Sequence, residues 1–474
     1  MNTSLVSRTN ARLVILILLT CLSVSTRAQS LAPHQQLARD IHKELVEINT
    51  VTATGDTLKA AQAMAERLKA ANFPETDVRV LSPAPRKGNL VARLRGTGAR
   101  KPILLLAHID VVEAKQEDWS SDPFKLVEKD GYLYGRGVSD DKFMAAVFVA
   151  NLIRYKQENF VPDRDLIVAL ETDEETLDAN AMGIQWLLKN HRDLIDAEFA
   201  LNEGGGVGLL NGKPLTNSFQ TSEKVSFSYR LEVKNPGGHS SLPTKDNAIY
   251  RLADGLGRLA RFDFPMKLNA TTRAQLERGA STVPDPQTAA DMRAVVQPNP
   301  DPAAIERLSK TVRYNAIMRT TCVATLVEAG HAVNALPQTA RASVNCRILP
   351  DESVDEVQKT LVRVLADDGI SVLPIGTPVA SPPSPLDPEI LGTVEKLSAE
   401  FWPGTPVIPT MLPAATDGSF LRSAGIPTYG HSGLANDVVD VRVHGKDERI
   451  PVKSFLDGQE YLYRLVKQLS SSAK

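Results

Sequence analysis

Apolar residues cluster in short unbroken runs through the first half of the chain. "NLVARLRG", "ILLLAH", "LIVALE" and "EFALNE" each read as a strand with no polar alternation. Helical periodicity separates or precedes them, in "LAPHQQLARDIHKELVEI", "TLKAAQAMAERLKAANF" and "DKFMAAVFVANLIRYKQ". In the last of these, Met144, Val147, Phe148, Leu152 and Tyr155 recur on one face, which predicts an amphipathic helix. Apolar strands separated by such helices predict a sheet covered on both faces, an α/β arrangement.

The pattern changes near residue 221. "KVSFSYRLEVK" alternates like a half-exposed strand and is followed by the turn "NPGG", the helix "DNAIYRLADGLGRLA" and strand-like runs around Cys322 and Cys346. This order predicts a small α+β unit inserted into the first. A polar stretch between Arg261 and Arg313 is expected to form surface helices and loops that enlarge it. After the proline-rich "SPPSPLDP" the α/β pattern returns. The expected organisation is therefore residues 1–28 as a signal peptide, 29–220 and 377–474 as the two parts of a discontinuous α/β domain, and 221–376 as the insertion.

Composition excludes several function classes. Of 474 residues, 42% are apolar and 23% charged, as in ordinary globular proteins. Lys and Arg total 54 against 56 Asp and Glu, so no basic field argues for nucleic acid. At the N-terminus Arg8 and Arg12 precede an apolar run from Leu13 to Leu22, with Thr26 and Ala28 placed for cleavage after Ala28. That run is about ten residues, roughly half a bilayer span. The protein is expected to be secreted or periplasmic, with "LLTC" at Leu18–Cys21 leaving a lipoprotein as the alternative. Cys322 and Cys346 remain in the mature chain, and one disulfide or two buried thiols are both open.

"VALETDEETL" begins as a buried strand and ends in a run of acids, Glu171, Asp173, Glu174 and Glu175. A solvated loop would explain that run alone. Other strands, however, also end in metal-binding residue types: "LLLAHID" supplies His108 and Asp110, and "FALNEGGG" supplies Glu203, while "GRGVSDDK" places Asp140 before a helix. The carboxyl ends of strands in open α/β sheets form the ligand crevice. Two divalent ions close together need a carboxylate between them and acids or imidazoles outside. They also need a further carboxylate free to move a proton. Adjacent Glu174 and Glu175 suit those last two roles, and "VRVHGKDERI" offers His444 as another imidazole.

The ordered segments "AHIDVV", "GRGVSDDK", "TDEE", "LNEGGG", "GGHSSLP" and "HGKDERI" resemble the signature blocks of the dinuclear zinc aminoacylase and carboxypeptidase family, which includes carboxypeptidase S, acetylornithine deacetylase and succinyl-diaminopimelate desuccinylase. The resemblance spans residues 108 to 450. It implies a zinc-peptidase-like α/β catalytic domain with an inserted ferredoxin-like lid and dimerisation domain. It further implies that His108 and Glu203 hold one ion, Glu175 and His444 the other, and Asp140 both. Glu174 would be the general base and Asp110 the carboxylate that orients His108. His239 would stabilise the oxyanion, often from the other subunit of a homodimer. Arg347, Asn334 and Asp417 match positions that resemble substrate-contacting or cleft-lining residues, as does Arg422. A salt bridge within the lid is the plain alternative for Arg347.

Nitrogen and oxygen donors suit two Zn2+, with Co2+ or Mn2+ able to occupy the same site. The Glu at 203 matches the carboxypeptidase S and N-acyl amino acid hydrolase branch, whereas Phe143 departs from the small residue usual at its position and is expected to narrow the helix start. His34, His42 and His191 are expected on the surface, and His431 is not assigned a metal. The implied activity is hydrolysis of a peptide or N-acyl amide bond beside a free carboxylate, with an aminoacylase or an aminopeptidase as alternatives. A non-catalytic binding protein of the same fold would be expected to lose a ligand or the base, and every expected position is filled. The substrate is a small molecule, with no nucleic acid partner and no membrane span in the mature chain.

Overall fold

The computed structural model describes residues 31–176, 182–379 and 381–471. The expected signal segment lies outside them. The centre of the fold is a mixed 10-stranded sheet, ordered Val78–Ala84, Lys87–Leu94, Leu166–Glu171, Ile103–His108, Phe199–Asn202, Thr428–Gly430, Lys213–Glu223, Val207–Leu210 and Ala435–Asp437. The tenth strand, Val407–Leu412, also pairs with Lys213–Glu223. Ile103–His108 and Leu166–Glu171 are buried along their whole length and run parallel, in register from Ile103 beside Leu166 to His108 beside Glu171. Phe199–Asn202 lies parallel on the other flank of Ile103–His108. Three neighbouring strands thus end together, and His108, Glu174, Glu175 and Glu203 lie at or just beyond those ends.

The helix Lys142–Gln157 starts where the sequence places it, but it is not amphipathic. Every residue from Lys142 to Ile153 is buried, and Tyr155 with them. The helix is wedged between the sheet and the helices Pro33–Glu47 and Val452–Leu469, so it has no free face. Phe143 turns away from the cleft, meeting Phe455 edge-on at 5.5 Å, and a Cβ on Gly458 would come within 2.8 Å of its ring. It therefore packs the core and does not narrow the site.

A 4-stranded antiparallel sheet forms separately, ordered Thr321–Ala329, Thr339–Ile348, Val225–Lys234 and Ile370–Ile375. The expected alternation holds along Val225–Lys234, where Val225, Phe227, Tyr229, Leu231 and Val233 are buried against the helices Ala248–Leu259 and Val354–Leu365. Strand and helix order gives the ferredoxin-like βαββαβ arrangement. Cys322 and Cys346 face each other on adjacent strands and are joined as a disulfide.

The polar stretch behaves differently from expectation. It forms four helices, Ala270–Gly279, Pro286–Val295, Pro302–Ser309 and Val312–Met318, whose sparse apolar residues Leu276, Met292, Val295 and Ile317 make a cluster with Met411. The first of them, Ala270–Gly279, lies against the Val407–Leu412 strand of the large sheet, where Gln275 accepts from the Met411 N–H at 3.1 Å, and the other three pack in succession behind it. A mostly polar sequence hides an apolar seam with a specific partner.

His42 also departs from expectation, since it is fully buried. It sits on the inner face of Pro33–Glu47, 5.0 Å from the Phe455 ring, with Nε2 at 3.0 Å from the Val138 carbonyl in the loop leading to Asp140. Burial pushes its pKa down from 6.5 to about 3. Between those values the unfolded chain binds the extra proton, so the contribution of His42 is complete above pH 6.5 and is lost as pH falls through that window. His42→Gln, which keeps a donor and removes the titration, is expected to flatten the fall in stability between about pH 6.5 and 4 in urea titrations. An unchanged acid slope would show that His42 takes up no proton on unfolding.

Candidate metal centre

The sequence-predicted donors converge. His108 Nε2 lies 3.1 Å from Asp140 Oδ1, while His444 Nε2 lies 3.0 Å from both Asp140 Oδ2 and Glu175 Oε1. Donor atoms of His108, Asp140 and Glu203 fall within 4.8 Å of one another, and so do those of Asp140, Glu175 and His444. The two sets share Asp140. A third overlapping set, His108, Glu174 and Glu175, places Glu174 beside both.

The acidic run divides by function. Asp173 turns away to an ion pair with Lys87 and accepts from the Met182 N–H at 3.1 Å. Glu171 accepts from the Ile184 N–H at 3.0 Å, and burial with the neighbouring Asp417 carboxylate holds it well above the usual carboxylate range. Only Glu174 and Glu175 face the donor cluster, and Asp110 holds them there. Its carboxylate accepts from the Glu174 N–H at 3.2 Å and the Glu175 N–H at 3.1 Å. Towards His108, Asp110 acts mainly through its main-chain carbonyl, 3.1 Å from Nδ1, with the carboxylate at 3.7 Å. One residue therefore positions an imidazole and two carboxylates.

Electrostatics mark the cluster as short of positive charge. Burial and the neighbouring Asp140 and Glu174 carboxylates hold Glu203 well above the usual carboxylate range. Burial, then Asp417 and Glu175, does the same to Glu174. Hydrogen bonds to Asp140 and Glu175 raise His444 to about 10. Burial works against the charged form of His108, yet its hydrogen bond to Asp140 still raises it. Protons are drawn to wherever the carboxylates can recruit them. Nitrogen and oxygen donors in two overlapping sets, with surplus negative charge and no thiolate, fit a pair of divalent cations.

Other expected residues lie elsewhere. His239 and Asn334 meet on the small unit, where Gly238–His239 pairs with Ala335–Leu336 and the Ser240 N–H donates to the Asn334 carbonyl at 3.0 Å. His239 is exposed, and among the described residues no hydrogen bond or ion pair joins it to the donor cluster. The Ser241 N–H donates to its Nδ1 at 3.2 Å, which leaves the proton of the neutral ring on Nε2. Arg347 is half-buried, and among the described residues no carboxylate pairs with it, which sets aside the salt bridge considered from sequence. Asp417 lies beneath the cluster against Glu171, and Arg422 is buried in an ion pair with Glu223 at 2.7 Å. His431 is buried between the Tyr461 hydroxyl at 2.8 Å and the Ser218 carbonyl at 3.1 Å, far from any metal role.

The sequence model of peptidase family M20/M25/M40 matches residues 104–468. The chain belongs to this family. It is 29% identical over 381 residues to the human N-fatty-acyl-amino acid synthase/hydrolase PM20D1, covering 77% of this chain and 74% of that protein. Among solved structures, the M20 metallo-carboxypeptidase Sso-CP2 from Sulfolobus solfataricus superposes with a TM-score of 0.64 at 17% identity, covering 91% of this chain and 98% of the other. Bacillus subtilis YXEP, a dinuclear metal-binding M20 peptidase, gives 0.57 at 13% identity over 92% and 98%. This M20 protein is thus a metal-dependent hydrolase by family.

Two residues outside the expected set tie the M20 centre together. Arg136 and Glu448 form a buried ion pair at 2.8 Å. The Glu448 carboxylate also accepts from the N–H groups of Gly137, Ser139 and Asp140 at 3.0, 2.8 and 3.2 Å, while Arg136 donates to the carbonyl of Gly445 at 2.9 Å. The loop carrying Asp140 is thereby fastened to the loop carrying His444. Both residues stand inside signature segments, "GRGVSDDK" and "HGKDERI"; an Arg in one and a Glu in the other, each four positions from a candidate donor, are the available signal. Glu448→Ala is expected to weaken metal binding about 10–100-fold in chelator competition. By stranding Arg136 it should also lower unfolding free energy by about 3–5 kcal/mol. Wild-type metal affinity in this variant would show that the Asp140 loop holds itself.

Proposed function

We propose that this M20 protein hydrolyses the amide bond of a small peptide or an N-acyl amino acid whose free carboxylate adjoins the scissile bond. The observation that carries the reading is the pair of donor sets sharing Asp140, with Glu174 beside them. In this reading His108 and Glu203 would hold one ion, Glu175 and His444 the other, and Asp140 would serve both, with Zn2+ preferred and Co2+ or Mn2+ able to take the same place. When bound there, two such ions would supply a polarised carbonyl and a water acidic enough to attack it near neutral pH. Glu174 takes the proton of the attacking water and delivers it to the departing amine. Asp110 keeps Glu174 in place through its main-chain N–H.

Arg347, half-buried with no carboxylate partner among the described residues, is the group proposed to receive the substrate carboxylate. His239 offers its Nε2–H to the developing oxyanion. Because it is exposed on the small unit, we place it in the active site of a second subunit. The edge strand Thr321–Ala329 supports such a homodimer, since Val323, Leu326 and Val327 project from it with 61%, 65% and 61% of their surface exposed. Residues 29–220 with 377–474 would then be the catalytic domain and 221–376 the lid. The disulfide agrees with an exported protein, and among the described residues no helix is long and apolar enough to cross a membrane.

The likeness to PM20D1 favours an N-acyl amino acid as substrate, and the likeness to Sso-CP2 keeps the peptide reading in view. Metal-loaded protein is expected to release phenylalanine from either glycyl-phenylalanine or N-acetyl-phenylalanine, with the faster of the two naming the class. Chelation should abolish release. Glu174→Gln should lower kcat by about 10²–10⁴-fold while still binding two ions per chain by elemental analysis. A variant that keeps its turnover removes Glu174 from the proton-transfer role. Val327→Glu is expected to turn a dimer into a monomer in sedimentation and to lower kcat with it; a fully active monomer would rule out His239 acting across subunits.

A further inference from the structure

The strand Leu166–Glu171, which leads into the acidic run, has a neighbour on each flank, and only one of them ends in a candidate donor. Ile103–His108 supplies His108, whereas Lys87–Leu94 holds no His, Cys, Asp or Glu. Two residues near its start nevertheless reach the segment that carries Glu174 and Glu175. Asn89 is fully buried; its Oδ1 accepts from the Thr172 N–H at 3.0 Å and its Nδ2 donates to the Met182 carbonyl at 2.8 Å. The Asp173 carboxylate accepts from the Met182 N–H at 3.1 Å and pairs with Lys87, whose Nζ also donates to the Thr52 carbonyl at 3.3 Å. The Thr172 hydroxyl donates to the same carboxylate at 3.3 Å and accepts from the buried Thr57 hydroxyl at 2.8 Å. The chain that leaves at Thr172 is thereby fastened to the chain that returns at Met182. They lie so close that a Cβ on Gly183 would stand 2.0 Å from the Thr172 carbonyl oxygen.

Asp173 has a φ of 72°, in the left-handed region that residues with a Cβ avoid. Such a conformation persists only where its surroundings impose it. Here it sets a direction, because Glu174 is the next residue. A return of Asp173 to right-handed φ would swing the following chain through roughly 130° about that bond and carry Glu174 off the donor cluster. Asp110 holds the N–H groups of Glu174 and Glu175 from the side of His108, and Lys87 and Asn89 hold Thr172, Asp173 and Met182 from the opposite side. We infer that Lys87 and Asn89 are positioning residues for the proposed reaction: they keep Asp173 in its left-handed conformation and so aim Glu174, with Glu175 beside it, at the candidate metal centre. The inference rests on the amide-hydrolase reading above and adds to it two residues outside the donor cluster.

The test uses metal-loaded protein and whichever of N-acetyl-phenylalanine and glycyl-phenylalanine the wild type cleaves faster. Lys87→Met alone would strand the buried Asp173 carboxylate, so it is combined with Asp173→Ala, which leaves no unpaired charge and removes what holds the left-handed φ. This double variant and Asn89→Ala are each expected to lower kcat at least about tenfold. KM should stay within about threefold of wild type, because a displaced Glu174 costs proton transfer and not substrate binding. Lys87→Met with Asp173→Asn should recover most of the loss, since asparagine tolerates the left-handed region and can still accept from the Met182 N–H. Metal affinity in chelator competition should fall about tenfold in the alanine variants, because Glu175 moves with Glu174. Wild-type kcat and metal affinity in both alanine variants, whatever their melting temperature, would overturn the inference and leave these contacts a plain loop closure. A loss carried by KM with kcat unchanged would overturn it as well, and so would an asparagine variant as impaired as the alanine one. A wild type that cleaves no amide would overturn the hydrolase reading; the positioning of Glu175 would then stand on a lowered metal affinity and fall with an unchanged one.

Discussion

Four carboxylates, Asp140, Glu174, Glu175 and Glu203, are held at one end of a sheet where their mutual repulsion works against the fold. The strand that leads to Glu174 and Glu175 cannot move away from its neighbour ending at His108, because both are buried along their whole length and hydrogen-bonded in register. The surrounding structure is arranged to contain that repulsion. Asp110 pins the Glu174–Glu175 segment by its main-chain N–H groups, and Lys87 draws Asp173 aside. Glu448 fixes the Asp140 loop by three N–H groups and is itself neutralised by Arg136. What remains uncompensated is the centre itself. That residual charge is what a pair of bound cations would neutralise, turning the same repulsion into binding energy.

The parts of this design that lie at strand ends are legible in the sequence. His108, Glu175 and Glu203 follow unbroken apolar runs, and position relative to a buried strand says where a side chain emerges. Asp140 and His444 require ordered motifs, since neither follows such a run. The supporting contacts are much less visible. Nothing in "GRGVSDDK" or "HGKDERI" says that Arg136 and Glu448 find each other, because long-range pairing leaves no local period. His42 defies its sequence context for a related reason: its helix neighbours are charged, yet burial is decided by which face meets the Lys142–Gln157 helix.

Helix Lys142–Gln157 and the segment 270–318 depart from their patterns in opposite directions. The helix shows an apolar face but is enclosed all round, whereas the segment has the composition of a surface while hiding an apolar seam. In both, the deciding quantity is how much of the element its surroundings cover, which a single helix sequence does not record. Leu276, Met292 and Ile317 of the seam also line a cavity beside the candidate metal centre.

The Arg136–Glu448 pair joins residues 312 positions apart, and so links the beginning of the chain's chemistry to its end. The consequence is one of timing. A ribosome adding about 5–20 residues per second needs roughly 15–60 s to travel that distance. Throughout that interval the loop bearing Asp140 has neither its clamp nor His444 beside it, and the candidate centre is unfinished. The candidate centre is therefore completed late, when the C-terminal segment folds back, and a chain truncated before Glu448 would leave the Asp140 loop unfastened however well its N-terminal portion had folded.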